Sequence, residues 1–167
     1  FLRISPREFA ATARDVGIQM AKPALTICSV LALSFLMNYS GATMTLGLAF
    51  AATGALFPFF SAILGWLGVF LTGSDTAANA LFGNLQVVTA KTLNLNQVLM
   101  AASNSSGGVM GKMISLQSIA VAVAAAGMAS SEESRLFRYT LRHSIFLASA
   151  IGLVVVFYAY VVPAWAP

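Results

Sequence analysis

Gly73-Ser74-Asp75-Thr76-Ala77-Ala78-Asn79 lies in the least polar part of a very apolar chain. Between Lys22 and Glu132 only Asp75, Lys91 and Lys112 are charged, and Pro23 to Ser74 carries no charge at all. Charged side chains at membrane depth are costly, rare and tied to ion or substrate paths. The run therefore reads as a device that places Asp75, with its hydroxyl and amide neighbours, inside a bilayer.

The rest of the composition agrees. Apolar residues make up 59% of the 167 residues and charged ones 8%, against roughly half and a quarter in soluble domains. The apolar stretches are helical or unbroken, without the alternation of an outer-membrane barrel. The net charge is +4, but the basic residues do not form a nucleic-acid patch. Arg3, Arg7, Arg14 and Lys22 fall in one short segment, and Arg135, Arg138 and Arg142 in another. Both suit topology signals at an anionic cytoplasmic surface. Cys28 is the single cysteine, which excludes an internal disulfide or a cysteine metal site; it is expected to be a small packing residue. With one histidine (His143, read as interfacial), one cysteine and no HExxH, the chain offers no catalytic cluster, no metal site and no cofactor motif, and reads as a non-enzyme. It opens at Phe1 in an amphipathic segment without a signal peptide, as expected of the C-terminal piece of a longer protein.

In order, residues 1–22 read as a cytoplasmic interfacial helix. Ser5-Pro6-Arg7-Glu8 supplies its capping box, Phe9, Ala13, Val16 and Met20 its apolar face, and Pro23 its end. Residues 23–57 hold a spanning helix, which leaves the membrane at Asn38-Tyr39-Ser40-Gly41, and a short outer-side segment over 42–57. Residues 58–94 form two short helices around the Gly73-Ser74-Asp75-Thr76 tip. The first arm, Phe59 to Leu71, is about 13 residues, too short to cross, so the pair is expected to be a re-entrant hairpin. Residues 95–129 read as a discontinuous spanning helix. It is expected to unwind over Ser103-Asn104-Ser105-Ser106-Gly107-Gly108 and to resume behind Ser115 as a cap. Residues 130–144 form a second cytoplasmic interfacial helix, with a capping box from Ser130 to Glu133. Residues 145–167 are the last span, ending in an aromatic belt of Tyr158, Tyr160 and Trp165. The two basic segments share a side only if an even number of crossings separates them, which puts 42–57 at the outer interface. The fold class is an all-α polytopic membrane protein.

A polar hairpin tip and a broken helix are what a midplane binding site requires. Half-helix N-termini favour an anion, and unwound carbonyls favour a cation. Ser74, Thr76, Asn79, Asn104, Ser105, Ser106 and Ser115 supply hydroxyls and amides. Gly107 and Gly108 allow close backbone approach, although Gly107 and Gly111, four apart, also fit a plain close-packing motif. Lys112 suits a substrate carboxylate or Asp75. Low dielectric disfavours the charged form of a carboxylate, which makes Asp75 the candidate proton carrier; its place also fits a plain N-cap of the hairpin's second helix. Gly107 to Lys112 is not a phosphate loop, because Ser106 and Met113 break that pattern.

Four stretches carry a resemblance. They are GWLGVFLTGSDTAANALFGNLQ (Gly65 to Gln86), NSSGGVMGKMIS (Asn104 to Ser115), QSIAVAVAAAG (Gln117 to Gly127) and LFRYTLRHS (Leu136 to Ser144). They closely resemble the C-terminal part of the bacterial L-lactate permeases, and the likeness runs over the whole chain. It implies proton-coupled uptake of L-lactate and related 2-hydroxy monocarboxylates such as glycolate across the bacterial inner membrane. It also implies an ion-transporter-type repeat with a re-entrant hairpin and a discontinuous transmembrane helix, paired with an N-terminal repeat of the same protein and, in many relatives, moving as an elevator. The family usually reads Ser-Pro-Gln-Ser where this chain has Ser115-Leu116-Gln117-Ser118. The partners implied are a small monocarboxylate, a proton and the lipid bilayer, with no nucleic acid. A sodium-coupled carrier for another organic anion, and a non-transporting membrane scaffold, remain the alternatives.

Overall fold

The computed structural model describes residues 5–165. Among them there are seven α-helices and no strand: α1 Pro6–Tyr39, α2 Ala42–Ala51, α3 Phe57–Thr72, α4 Asp75–Thr92, α5 Gln97–Lys112, α6 Leu116–Ala125 and α7 Glu133–Tyr160. Four stretches are long and apolar enough to cross a membrane: Pro6–Tyr39, Gly54–Thr72, Gln97–Ala125 and Glu133–Tyr160. The chain is an all-helical, multi-pass architecture.

The capping box at the start of α1 forms as the sequence indicates. The Ser5 hydroxyl accepts from the Glu8 amide at 3.2 Å, and the Ser5 amide donates to Glu8 Oε2 at 2.9 Å. Pro23 does not end this helix, which runs unbroken through it to Tyr39. A proline deletes one ladder hydrogen bond, and membrane helices absorb that loss locally. The basic segment and the first span are thus one rod. Arg3 lies outside the described residues. Cys28, expected to be a packing residue, is exposed on α1. Gly41, at φ 78°, turns the chain into α2. With 10 residues, α2 spans about 15 Å and is too short to cross.

The first arm of the hairpin is longer than the sequence suggested. Pro58 sits inside the first turn of α3, where proline is tolerated, and a 3-10 turn at Gly54–Leu56 precedes it. Together they give an apolar stretch of 19 residues, Gly54–Thr72, where about 13 were expected. The second correction concerns Ser103 to Gly108, which are helical. The chain unwinds later, at Met113–Ser115, between α5 and α6. The hydroxyls that would break a helix in water are satisfied inside this one: Ser103 Oγ donates to the Met100 carbonyl at 2.7 Å and Ser106 Oγ to the Ala102 carbonyl at 3.0 Å. The glycines are spent on packing. A methyl at Gly107 would lie 2.0 Å from the Ala62 carbonyl oxygen, one at Gly111 2.1 Å from that of Trp66, and one at Gly65 1.9 Å from that of Asn104. Helices α3 and α5 therefore touch backbone to backbone, the small-residue packing that replaces hydrophobic drive within a bilayer.

The last helix begins later than the sequence indicates, at Glu133. A 3-10 turn at Ser130–Glu132 leads in, and Glu132 occupies the N-cap without a side-chain bond; the Ser130 side chain lies outside what the structure describes. Helix α7 then runs unbroken, so its basic start and the last span are also one rod. Arg135, Arg138 and Arg142 are exposed along it, as is His143, whose ring lies 4.6 Å from that of Tyr139. Helix α7 locks onto the α3–α5 pair through Ser144. Its hydroxyl accepts from Trp66 Nε1 at 2.8 Å and donates to the Met110 carbonyl at 2.5 Å. The buried apolar cluster lies among α3, α4, α5 and α7, with Phe57, Leu85, Met100 and Val155 at its centre. By contrast, α1 and α2 lie on the outside, and α1 is exposed over almost its whole spanning window.

Candidate functional site

The tip is built by Gly73 and Ser74. Gly73, at φ 69°, ends α3, a left-handed turn that glycine makes without strain. Ser74 caps α4, its hydroxyl accepting from the Ala77 amide at 3.3 Å. Asp75 is therefore the first residue of α4 rather than its cap. With capping done by Ser74, the Asp75 carboxylate is free to face α5. Its Oδ2 accepts from Ser105 Oγ at 2.6 Å and from Asn79 Nδ2 at 3.0 Å. Its Oδ1 is buried without a hydrogen-bond partner among the described residues.

Behind Asp75 stands a row of carboxamides. Asn104 Nδ2 donates to Asn79 Oδ1 at 2.8 Å, Gln86 Nε2 donates to Asn104 Oδ1 at 3.1 Å, and Ser61 Oγ donates to Gln86 Oε1 at 2.7 Å. Ser61, Gln86 and Asn104 are each 0% exposed. Leaving one such buried partner unsatisfied costs about 1–3 kcal/mol. Asn79 and Asn104 were expected at the site, whereas Gln86, Ser61 and Ser103 were not. The available signal was spacing: Asp75, Asn79 and Gln86 fall at i, i+4 and i+11, one face of α4.

The tip meets the break between α5 and α6. Lys112, in the last turn of α5, donates its ammonium to the Gly73 carbonyl; it does not pair with Asp75. Ser115 caps α6 as expected, its hydroxyl accepting from the Ser118 amide at 3.3 Å. The Gln117 side chain packs against Gly73, where an added methyl would lie 2.8 Å from its Oε1. Two clefts open here. One of about 210 Å³ has Thr72, Gly73, Ser115 and Gln117 in its lining. One of about 500 Å³ is lined by Lys22, Thr26 and Ile27 of α1 with Thr72, Ser74 and Gln117. Thr72, Gln117 and Lys22 were missed as site residues. They lie outside the polar tip and the Ser/Gly run, and only the fold brings them together.

The structure thus gathers Ser74, Asp75, Asn79, Asn104, Ser105, Gly108, Lys112 and Ser115 around one junction. Of the other expected residues, Thr76 and Ser106 are exposed, and Gly107 faces Ala62 in the α3 seam.

Comparison with known proteins decides the family. The L-lactate permease family model matches residues 1–162. The chain belongs to the L-lactate permease family. It is 58% identical over 144 residues to the glycolate permease GlcA of Escherichia coli K12, covering 86% of this chain and 26% of that protein. To the L-lactate permease of Bacillus subtilis 168 it is 52% identical over 151 residues, covering 90% of this chain and 27% of that protein. To the L-lactate permease of Salmonella typhi it is 48% identical over 161 residues, covering 96% and 29%. The chain spans between a quarter and a third of the length of these relatives. No solved structure matches it. Its bacterial permease relatives and four apolar helices mark a multi-pass protein of the bacterial inner membrane.

Proposed function

We propose that this permease-family chain is the C-terminal part of a secondary active transporter that takes up L-lactate and related 2-hydroxy monocarboxylates, glycolate among them, in symport with protons. It would work with an N-terminal repeat of the same protein. The observation that carries the reading is the junction at Asp75, where a carboxylate at a helix tip meets the centre of a spanning segment. The tip touches Gly108, Lys112 and Gln117, midway along the Gln97–Ala125 span. That supports a re-entrant α3–α4 hairpin, since backbone that turns at membrane depth survives only under protein cover.

In this reading Asp75 is the proton site and the clefts beside it take the substrate. The substrate carboxylate lies at the start of α6, among Ser115, Gln117, Ser74 and Thr72. Free amides and the helix dipole favour an anion there, and Lys112 and Lys22 add positive charge. Asn79, Asn104 and Ser105 support Asp75 from behind. Loading a proton cancels the charge of Asp75 beside the anion, which links the two cargoes.

Uptake by proteoliposomes holding the complete permease tests this. An inward proton gradient should drive lactate and glycolate accumulation, and a sodium gradient should not. Asp75→Asn should abolish accumulation and keep lactate/lactate exchange. Unchanged uphill uptake in Asp75→Asn removes Asp75 from the mechanism, and sodium-driven uptake by the unsubstituted protein replaces the proton reading.

A further inference from the structure

The carboxamides behind Asp75 all point the same way. Gln86 donates to Asn104, Asn104 to Asn79 and Asn79 to Asp75 Oδ2. Backbone carbonyls, which only accept, hold that sense. Gln86 Nε2 also donates to the Ser61 carbonyl at 3.0 Å, and Asn104 Nδ2 reaches the Ala78 carbonyl at 3.5 Å. A flipped amide would set oxygen against oxygen at those positions. At the far end Ser61 donates into Gln86 Oε1 and lies against the Ser103 hydroxyl. The row is therefore a one-way chain of donors ending on a carboxylate, an arrangement in which each bond polarises the next.

Its end is asymmetric. Oδ2 takes two donors, Asn79 and Ser105, while Oδ1 has none among the described residues. A carboxylate oxygen has about two lone-pair sites, so Oδ2 is fully used. Gly108 leaves room for this buried oxygen, because a methyl there would lie 2.5 Å from Oδ1 and 2.7 Å from Val69 Cγ2. The charged groups around the tip are Lys112, engaged by the Gly73 carbonyl, and Lys22 across the cleft.

We propose that Gln86, Asn104 and Asn79 are positioning residues whose one-way chain occupies Oδ2 of Asp75 and confines the carried proton to Oδ1, beside Gly108. This rests on the reading of Asp75 as the proton site. In the step, one O–H bond forms at Oδ1 as one O–H bond of a hydronium ion breaks on one side of the membrane. On the other side the Oδ1–H bond breaks as a water molecule takes the proton and becomes hydronium, and no heavy-atom bond changes. The protonated group then has Oδ2 as its C=O oxygen, held by two donors.

Infrared difference spectra of the complete permease in lipid, between acidic and alkaline buffer, read that C=O directly. The band of the protonated carboxyl should vanish in Asp75→Asn. It should move to higher frequency in Asn79→Ala and in Ser105→Ala, and by less in Gln86→Met, which removes the chain two links upstream. Ser105 is half-buried and its side chain bonds only to Asp75 among the described residues, so Ser105→Ala reads the Oδ2 assignment where the buried Gln86→Met does not fold. A band lost in Asp75→Asn but unmoved in Asn79→Ala, in Ser105→Ala or in folded Gln86→Met overturns the chain and leaves the proton site standing. A band that persists in Asp75→Asn overturns the proton site itself.

Discussion

Helices α4 and α6 begin alike and are charged differently. Each starts behind a serine in extended conformation, Ser74 or Ser115, and each serine accepts from an amide three residues on at 3.3 Å. The first turn of α4 then carries Asp75, while that of α6 carries no acid. A helix N-terminus holds roughly half a positive charge. In α4 the chain's own carboxylate answers it, whereas in α6 it is left for something else. The two starts come close where the Gln117 side chain packs against Gly73. In the proposed function this difference gives the proton to one and the substrate anion to the other.

The most damaging way to break the comparison is to separate the two starts. Gly107→Ala would push a methyl into the Ala62 carbonyl. Overpacking of this kind usually costs about 1–3 kcal/mol and more where backbone must move. Size-exclusion chromatography should show little monodisperse permease. A normal yield would mean that α3 and α5 part without cost.

Giving α6 an acid of its own should have the next largest effect. Gln117→Glu makes its start resemble that of α4, and a like charge beside the anion should weaken lactate binding by about tenfold, or about 1.4 kcal/mol. Isothermal titration calorimetry on the reconstituted protein measures it; unchanged affinity would move the substrate carboxylate away from α6.

Lys112→Met should act more gently. It frees the Gly73 carbonyl at the end of α3 and removes a nearby positive charge, a loss of about 0.3–1 kcal/mol at a helix C-terminus. The KM for lactate should rise a few-fold in flux assays, with Lys112→Arg closer to the native protein. A KM that does not change in Lys112→Met would make the lysine a strut for the tip alone.

Ser115→Ala should be the mildest, lowering stability by about 1 kcal/mol through the lost cap. A thermal-shift assay reads this, and lactate should raise the melting temperature of the variant less than that of the native protein. Equal ligand protection in both would show that the Ser115 hydroxyl only caps.

The tip and the α6 cap were legible in the sequence because each is a local event. A charge after an uncharged run, a glycine, and a serine ahead of helical residues need no tertiary knowledge. The straightness of α5 was not legible. Ser103 to Gly108 reads as a breaker only when the chain is considered alone. Against α3, the same glycines admit backbone contact and the same hydroxyls turn back onto their own helix. Pro23 misled for the same reason, since one missing bond ends a marginal helix in water but not a long apolar one. Gln86 escaped because a lone amide in an apolar helix has no meaning until Ser61 and Asn104 arrive from two other helices.

The bond from Ser105 to Asp75 joins residues 30 apart. During synthesis at 5–20 residues per second, the hairpin tip therefore exists for about 2–6 s before the ribosome has made its partner. Over that interval Asp75 has none of its α5 partners, and in the proposed reading the tip settles at membrane depth only once α5 has followed it out of the ribosome.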